Sequence, residues 1–239
     1  MLSDGRFEKQ KGDSNLEKED RIRQKEQWKQ LSPSEKWQYF IDYYLWVTIG
    51  VTTGIVILIF LIVHFATKTS FVIGVMAVNT DGEHIEATGP DYFTDFLREH
   101  GVMSKRDVVN LNYTIWIDPN SDSDVDSTNL STIQVLFMTR SVDVFFSDEE
   151  FLKLMGGTDY LVNLRDYMPE ELLDRYEDQQ IKVLNTMTGE TIVAGIRLED
   201  NVWMQKTGWY EHTAAVGLAD GMKNPELAVA LLEEILNAE

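Results

Sequence analysis

The sequence predicts an α/β domain with a mixed, largely parallel sheet, carried behind a single N-terminal transmembrane helix. Three observations lead there. Leu45 to Ala66 is an unbroken run without fixed charge. Beyond residue 70, short β-branched runs alternate with apolar residues at helical spacing, the pattern of strands joined by helices. Thr186-Met187-Thr188-Gly189-Glu190 separates two strand-like runs as a hairpin turn does, which makes the sheet mixed.

Charge and composition narrow the function classes. The 239 residues include 21 Lys or Arg and 40 Asp or Glu, a formal net charge of −19. That argues against nucleic acid as a partner, because phosphate binding needs a basic surface. Cysteine is absent, which removes disulfides, thiolate metal sites, cysteine nucleophiles and the lipidated cysteine of a bacterial lipoprotein.

Residues 1–44 read as a cytoplasmic tail, disordered first and then an interfacial helix. They hold nine Lys/Arg and nine Asp/Glu. Met1 to Lys25 has too little apolar surface to offset chain entropy and is expected to be disordered. Ser32-Pro33-Ser34-Glu35 then reads as a helix start, with Ser32 as cap, Pro33 at the first helical position and Glu35 closing a capping box. The aromatics that follow, Trp37, Tyr39, Phe40, Tyr43, Tyr44 and Trp46, read as a membrane-interface belt. An aromatic soluble core is the alternative.

Residues 45–66 read as a transmembrane signal anchor. Twenty-two residues at 1.5 Å rise span roughly 33 Å, enough for the bilayer's ~30 Å hydrocarbon core. The long polar lead and the lack of a small-residue cleavage site after Val63-His64-Phe65-Ala66-Thr67 argue against a cleaved signal peptide. Lys25, Lys29 and Lys36 flank the amino side, with Arg21 and Arg23 just beyond, whereas only Lys68 is close on the carboxyl side. The positive-inside rule then expects a plasma-membrane, single-pass protein with residues 1–44 inside and 70–239 outside. Residues 70–239 hold 11 Lys/Arg against 31 Asp/Glu, so anionic lipid repels them. Within the span, Gly50 and Gly54 form a GxxxG. It is either a helix-packing motif or the ordinary glycine content of membrane helices.

Residues 70–239 read as an extracytoplasmic α/β domain, large enough for its own core. Phe71–Val78 is a continuous apolar run that suits a strand buried on both faces. The loop Asn79-Thr80-Asp81-Gly82 follows. A helix is expected from about Pro90 to His100, ended by Gly101, with Phe93, Phe96, Leu97 and His100 on one face. Val108–Ile117 reads as a second strand and Thr128–Arg140 as a helix. Val142–Phe146 reads as a third strand, then a helix capped by Ser147 or Asp148 and ended at Gly156-Gly157. Another helix starts at Pro169. Strands at 181–185 and 191–198 flank the hairpin turn. Ala214–Leu218 is a last strand, and Asn224-Pro225-Glu226 opens a final helix.

Catalytic chemistry is sparse. The four histidines, His64, His84, His100 and His212, show no metal-ligand spacing, and there is no GxSxG, phosphate loop or HExxH. No cofactor is expected, and a non-enzymatic role is favoured over an envelope hydrolase. Asp118, Asn120, Asp122, Asp124 and Asp126 alternate like a calcium loop but lack its glycine and its final glutamate. A solvated acidic loop is the simpler reading. Two glycosylation sequons, at Asn112 and Asn129, would matter only in a eukaryotic secretory pathway. If a small-molecule site exists, an open α/β sheet places it beyond the carboxyl ends of its strands. That selects Asn79, Thr80 and Asp81 after the first strand, Asp118 after the second, and Ser147 and Asp148 after the third. The same residues are also ordinary caps and turn formers. Trp203, Trp209 and Tyr210 can stack on a sugar or fill a core.

The segment Ser141-Val142-Asp143-Val144-Phe145-Phe146-Ser147-Asp148, then Leu161-Val162-Asn163-Leu164 and Tyr167-Met168-Pro169-Glu170-Glu171-Leu172, resembles a recurring unit of bacterial extracellular solute-binding proteins. Gly221-Met222-Lys223-Asn224-Pro225-Glu226 before an apolar helix is similar to their carboxyl-terminal helix. The likeness covers about residues 130–239. The whole layout, with Tyr43-Tyr44 at the anchor, resembles single-pass membrane proteins of Gram-positive Firmicutes. The resemblance implies one lobe of a periplasmic-binding-protein fold, with the aspartate-containing strand and its loop at a ligand cleft. It implies a membrane-anchored, non-enzymatic module that recognises a small solute or an envelope partner. A domain of about 170 residues is short for a two-lobed receptor, so an accessory or scaffolding subunit of a membrane complex, with no ligand of its own, stays open.

Overall fold

A computed structural model describes residues 21–23, 25, 26, 29, 31–102, 104, 106–118, 120, 121 and 123–238, and within them the side chains of Tyr39 and Tyr43 are excluded. The chain divides into two compact units, Met1–Thr67 and Lys68–Glu239.

In the first unit, the expected disorder of residues 1–20 lies outside the described residues. Residues 21–23, 25, 26 and 29 are helical, where disorder was expected as far as Lys25. Arg, Lys and Glu there are strong helix formers, and local propensity outweighs the lack of apolar surface. Helix α1 then runs Pro33–Thr67. Its start is the expected capping box: Ser32 N–H donates to Glu35 Oε2 at 2.8 Å and Glu35 N–H to Ser32 Oγ at 3.4 Å. The Ser32 hydroxyl, and then the Ser32 N–H, hold the Glu35 carboxyl below its usual range. Phe40 stacks between Trp37 and Tyr44, at centroid distances of 5.8 and 6.2 Å. Trp37, Tyr44 and Trp46 are exposed. Tyr44–Thr67 is long and apolar enough to cross a membrane, and none of it is buried. Its 24 residues measure about 36 Å. The span begins one residue earlier and ends one later than expected. Gly50 and Gly54 are open, with no atom near where a Cβ would lie.

The second unit is built on strands whose side chains alternate between two cores. The strands are β1 (Ser70–Ala77), β2 (Asp107–Asn112), β3 (Val144–Asp148), β4 (Gln180–Leu184), β5 (Thr191–Arg197) and β6 (Ala214–Leu218). They form one sheet in the order β2-β1-β3-β6-β5-β4. In β1, Ile73, Val75 and Ala77 face one core and Met76 the other; in β3, Val144 and Phe146 oppose Phe145. Both faces are therefore covered, as the continuous apolar runs require. One face packs on α2 (Gly82–Glu99), α5 (Glu170–Arg175), α6 (Val202–Thr207) and α7 (Pro225–Leu236), through residues such as Phe96, Leu173, Trp203 and Leu231. The other packs on α3 (Asp124–Met138) and α4 (Glu149–Gly156), through Ile133, Phe137, Phe151 and Met155. Burying each such side chain stabilises the domain by roughly 1.5–3 kcal/mol relative to exposure.

The sheet is mixed but not largely parallel. Only β1–β2 and β1–β3 pair in parallel; β3–β6, β5–β6 and β4–β5 are antiparallel. The expected hairpin is present, but β6 also runs against β3. Helix α2 starts eight residues earlier than expected. Asp81 caps it, accepting from the N–H groups of Glu83 and His84, and Pro90 lies inside it. The early turns bury Ile85 and Gly89, which offsets the hydrogen bond that proline cannot donate. Phe93, Phe96 and Leu97 are buried as expected, but His100 is the exposed C-cap. Helix α3 likewise starts earlier, at a Ser123 cap. Strand β2 ends at Asn112, not Ile117, for a reason found at the sheet's end.

Asp143, just before β3, is fully buried. Its carboxylate accepts from Gly74 N–H at 2.6 Å, Lys223 N–H at 2.5 Å and Asn224 N–H at 3.4 Å. Asp143 N–H in turn donates to Gly74 O at 2.7 Å. The aspartate of the solute-binding-like segment thus joins β1 to the turn before α7. Asp148, at the other end of β3, lies five positions on, about 16 Å along the strand.

Candidate functional site

At the carboxyl ends of the parallel strands, Asn79, just past β1, holds the segment that follows β2. Asn79 has a left-handed backbone, φ 62°, which asparagine tolerates better than other non-glycine residues. Its N–H donates to Ile115 O at 3.1 Å. Its side-chain Oδ1 accepts from Ile117 N–H at 2.8 Å, and Nδ2 donates to Ile117 O at 2.9 Å. The side-chain amide imitates a strand partner, so residues 113–118 are held without a regular ladder. The same Nδ2 donates to Asp148 Oδ2 at 2.9 Å. Asp148 Oδ1 accepts from Phe151 N–H at 2.8 Å and caps α4.

Asn79, Ile117 and Asp148, joined in this way, line a cleft of about 910 Å³. Asn79, Thr80, Asp81, Asp118 and Asp148 all line it. Five of the six residues selected from strand-end logic therefore meet at one place. Ser147 does not reach it: it is fully buried, and its Oγ donates to Asp148 O at 2.9 Å. Ser147 belongs to β3, so the choice of cap between Ser147 and Asp148 falls to Asp148.

The rest of the wall comes from two segments. Trp116, Ile117, Val125, Asp126 and Asn129 lie along the path from β2 into α3. Tyr210, Glu211, His212 and Thr213 precede β6. Because β6 is antiparallel to β3 and pairs Ala214 with Asp148, its amino end arrives where the parallel strands finish. That direction is the signal needed to add residues 210–213. Trp116 lies beyond the end of β2 at Asn112, although the run Val108–Ile117 reads as one strand.

The cleft is acidic. Asp81, Asp118, Asp126, Asp148 and Glu211 line it, and among the described residues no Lys or Arg does. The His84 imidazole, bonded to Asp81 Oδ2 through Nδ1 at 2.8 Å, holds the Asp81 carboxyl below its usual range. Hydroxyls of Ser121 and Ser123 do the same for Asp126, which also accepts from Asp118 N–H at 3.0 Å. Both carboxylates stay ionised at neutral pH. The expected acidic loop is thus partly folded into α3 and stitched by its own side chains; Asp122 lies outside the described residues. Among the described residues no three His, Asp or Glu side chains are arranged to hold a metal ion.

Tyr210 and the two nearby tryptophans differ in role. Trp209 and Trp203 are core residues, 0% and 5% exposed, with ring centroids 4.8 Å apart. Tyr210 lines the cleft and donates to Val78 O at 2.8 Å. Burial, and then the negative charge of Asp148, push its hydroxyl well above the usual tyrosine range. Trp116 is 61% exposed and is the ring free to meet a solute; its carbonyl accepts from Asn129 Nδ2 at 2.6 Å.

No protein-family profile, curated protein or solved structure matches the chain.

Proposed function

We propose that this chain is a membrane-anchored, non-enzymatic binding module whose exported domain recognises a small solute in the strand-end cleft. The observation that carries the proposal is the cleft itself. It opens beyond the carboxyl ends of β1, the β2 segment and β3, where open α/β sheets place ligands. Three of its lining residues, Asn79, Ile117 and Asp148, are held together by hydrogen bonds, so a ligand would meet a pre-formed surface. The α1 span supplies the anchor, with the bilayer as its partner. The flanking lysines favour a cytoplasmic amino end and an outside domain, at the plasma membrane. The likeness of residues 130–239 to solute-binding proteins supports the same function, as one lobe of such a fold.

A second reading, an accessory or scaffolding subunit of a membrane complex, is favoured by exposed apolar side chains near the β4 edge of the sheet. Leu154, Leu184 and Met187 are 46%, 59% and 72% exposed. Their segments meet where Thr186 N–H donates to Gly157 O.

Thermal unfolding of the full chain in detergent, against sugars, amino acids, peptides and calcium, separates the two. A ligand at a hundred times its Kd adds about 2.7 kcal/mol, which raises Tm by several degrees. The expected result is a shift with one organic class. A flat response from a cooperatively unfolding protein contradicts the receptor and favours the subunit.

A further inference from the structure

We infer that the cleft takes an organic cation, a compact amine or quaternary ammonium, because among the described residues its walls carry five carboxylates and no Lys or Arg, beside an exposed tryptophan. This rests on the cleft being a solute site. Asp81, Asp118, Asp126, Asp148 and Glu211 surround one cavity of about 910 Å³, and low-dielectric walls concentrate such a field. An anionic solute is disfavoured by the same charge, and a neutral one would leave it unanswered.

The arrangement also distinguishes an organic cation from a metal ion. The carboxylates are spread around the wall, and no three of them converge on a point among the described residues. Asp148 and Asp126 already spend oxygens on Phe151 N–H, Asn79 Nδ2 and Asp118 N–H. A divalent ion needs several oxygens at one centre. A diffuse positive charge on an apolar body needs only distributed negative charge and an aromatic face. Trp116 supplies that face from the rim, where a cation–π contact forms.

The test is calorimetric titration of the full chain in nanodiscs of uncharged phosphatidylcholine. The probes are putrescine, choline and arginine, with glucose, glutamate and calcium chloride for comparison. At least one organic cation is expected to bind better than all three comparison probes. Its affinity should fall roughly five-fold or more between low and moderate salt. Asp118→Asn with Glu211→Gln should weaken it about ten-fold, and Trp116→Ala about three-fold or more. Glu170→Gln with Glu171→Gln, on α5 outside the cleft, should leave it unchanged. Equal loss in the α5 variant would mean nonspecific attraction to an acidic domain and overturn the inference. Preferential binding of calcium would overturn it too. Glucose or glutamate binding best, sensitive to Trp116→Ala, would overturn the ligand class and keep the solute cleft. No binding by any probe, together with a flat unfolding panel, would overturn both.

Discussion

Asn79 Nδ2 donates to Asp148 Oδ2 at 2.9 Å, and this bond ties the end of β1 to the end of β3 across 69 positions of sequence. The orientation of the amide is settled by its other partners. Oδ1 accepts from Ile117 N–H, so Nδ2 must face Ile117 O and Asp148. One side chain therefore sets three segments of the cleft.

Asn79→Ala is expected to destabilise the domain by about 2–3 kcal/mol, measured as a shift in the urea midpoint. It removes three hydrogen bonds worth roughly 1 kcal/mol each and leaves the Ile117 groups unpaired. It also places alanine at φ 62°, which alanine adopts less readily. An unchanged midpoint would show that the strand ends are held by packing alone.

Asp143→Ala should cost about 3–5 kcal/mol, because three backbone N–H groups lose a buried carboxylate partner. Gly74→Ala should be comparably damaging, about 3 kcal/mol, since its Cβ would lie 2.1 Å from Ser141 O. Denaturant midpoints check both. Loss of stability without loss of ligand class preference would place Asp143 in the framework and outside the cleft.

Raising pH above about 10 should destabilise the domain. Tyr92 donates to Glu234 Oε1 at 2.8 Å. Burial and that carboxylate push its hydroxyl far above the usual tyrosine range, as burial and Asp148 do for Tyr210. The folded state keeps protons that the unfolded chain releases near pH 10. The stabilisation is therefore full below that pH and lost as pH rises, by about 1.4 kcal/mol per unit for each tyrosine. Urea midpoints at pH 8 and pH 11 measure it, and Tyr92→Phe or Tyr210→Phe should flatten the difference.

Much of this fold was legible because its signals are local. The Ser32–Glu35 box, the Asp148 cap and the Asn224-Pro225 start each act within one turn. The apolar runs at β1 and β6 are buried on both faces, as their composition requires. What stayed hidden is non-local. The direction of β6 depends on which strand it meets, so Tyr210, Glu211 and His212 could not be assigned to the cleft from spacing. β2 was read five residues too long because Asn79, some 35 residues away, replaces its ladder with a side chain. Helix α2 was read eight residues too short because Pro90 looked like a start, whereas Asp81 caps and the buried Ile85 pins the earlier turns. Five of the six candidate residues were reachable through strand-end logic alone, Ser147 being the exception because it is buried in β3. Their acidity as a group was not, since it depends on Asp126 and Glu211 folding back beside Asp81 and Asp148.

A solute cleft held outside the membrane must be reachable from outside the cell, and the absence of cysteine permits a direct measurement. Glu211→Cys, on the cleft wall, and Ser34→Cys, before the span, each introduce a single thiol. Intact expressing cells are treated with a membrane-impermeant maleimide, before and after lysis. The expected result is that Glu211→Cys labels in intact cells and Ser34→Cys only after lysis. Labelling of Ser34→Cys alone in intact cells, with Glu211→Cys protected until lysis, would put the cleft in the cytoplasm and rule out an extracytoplasmic receptor.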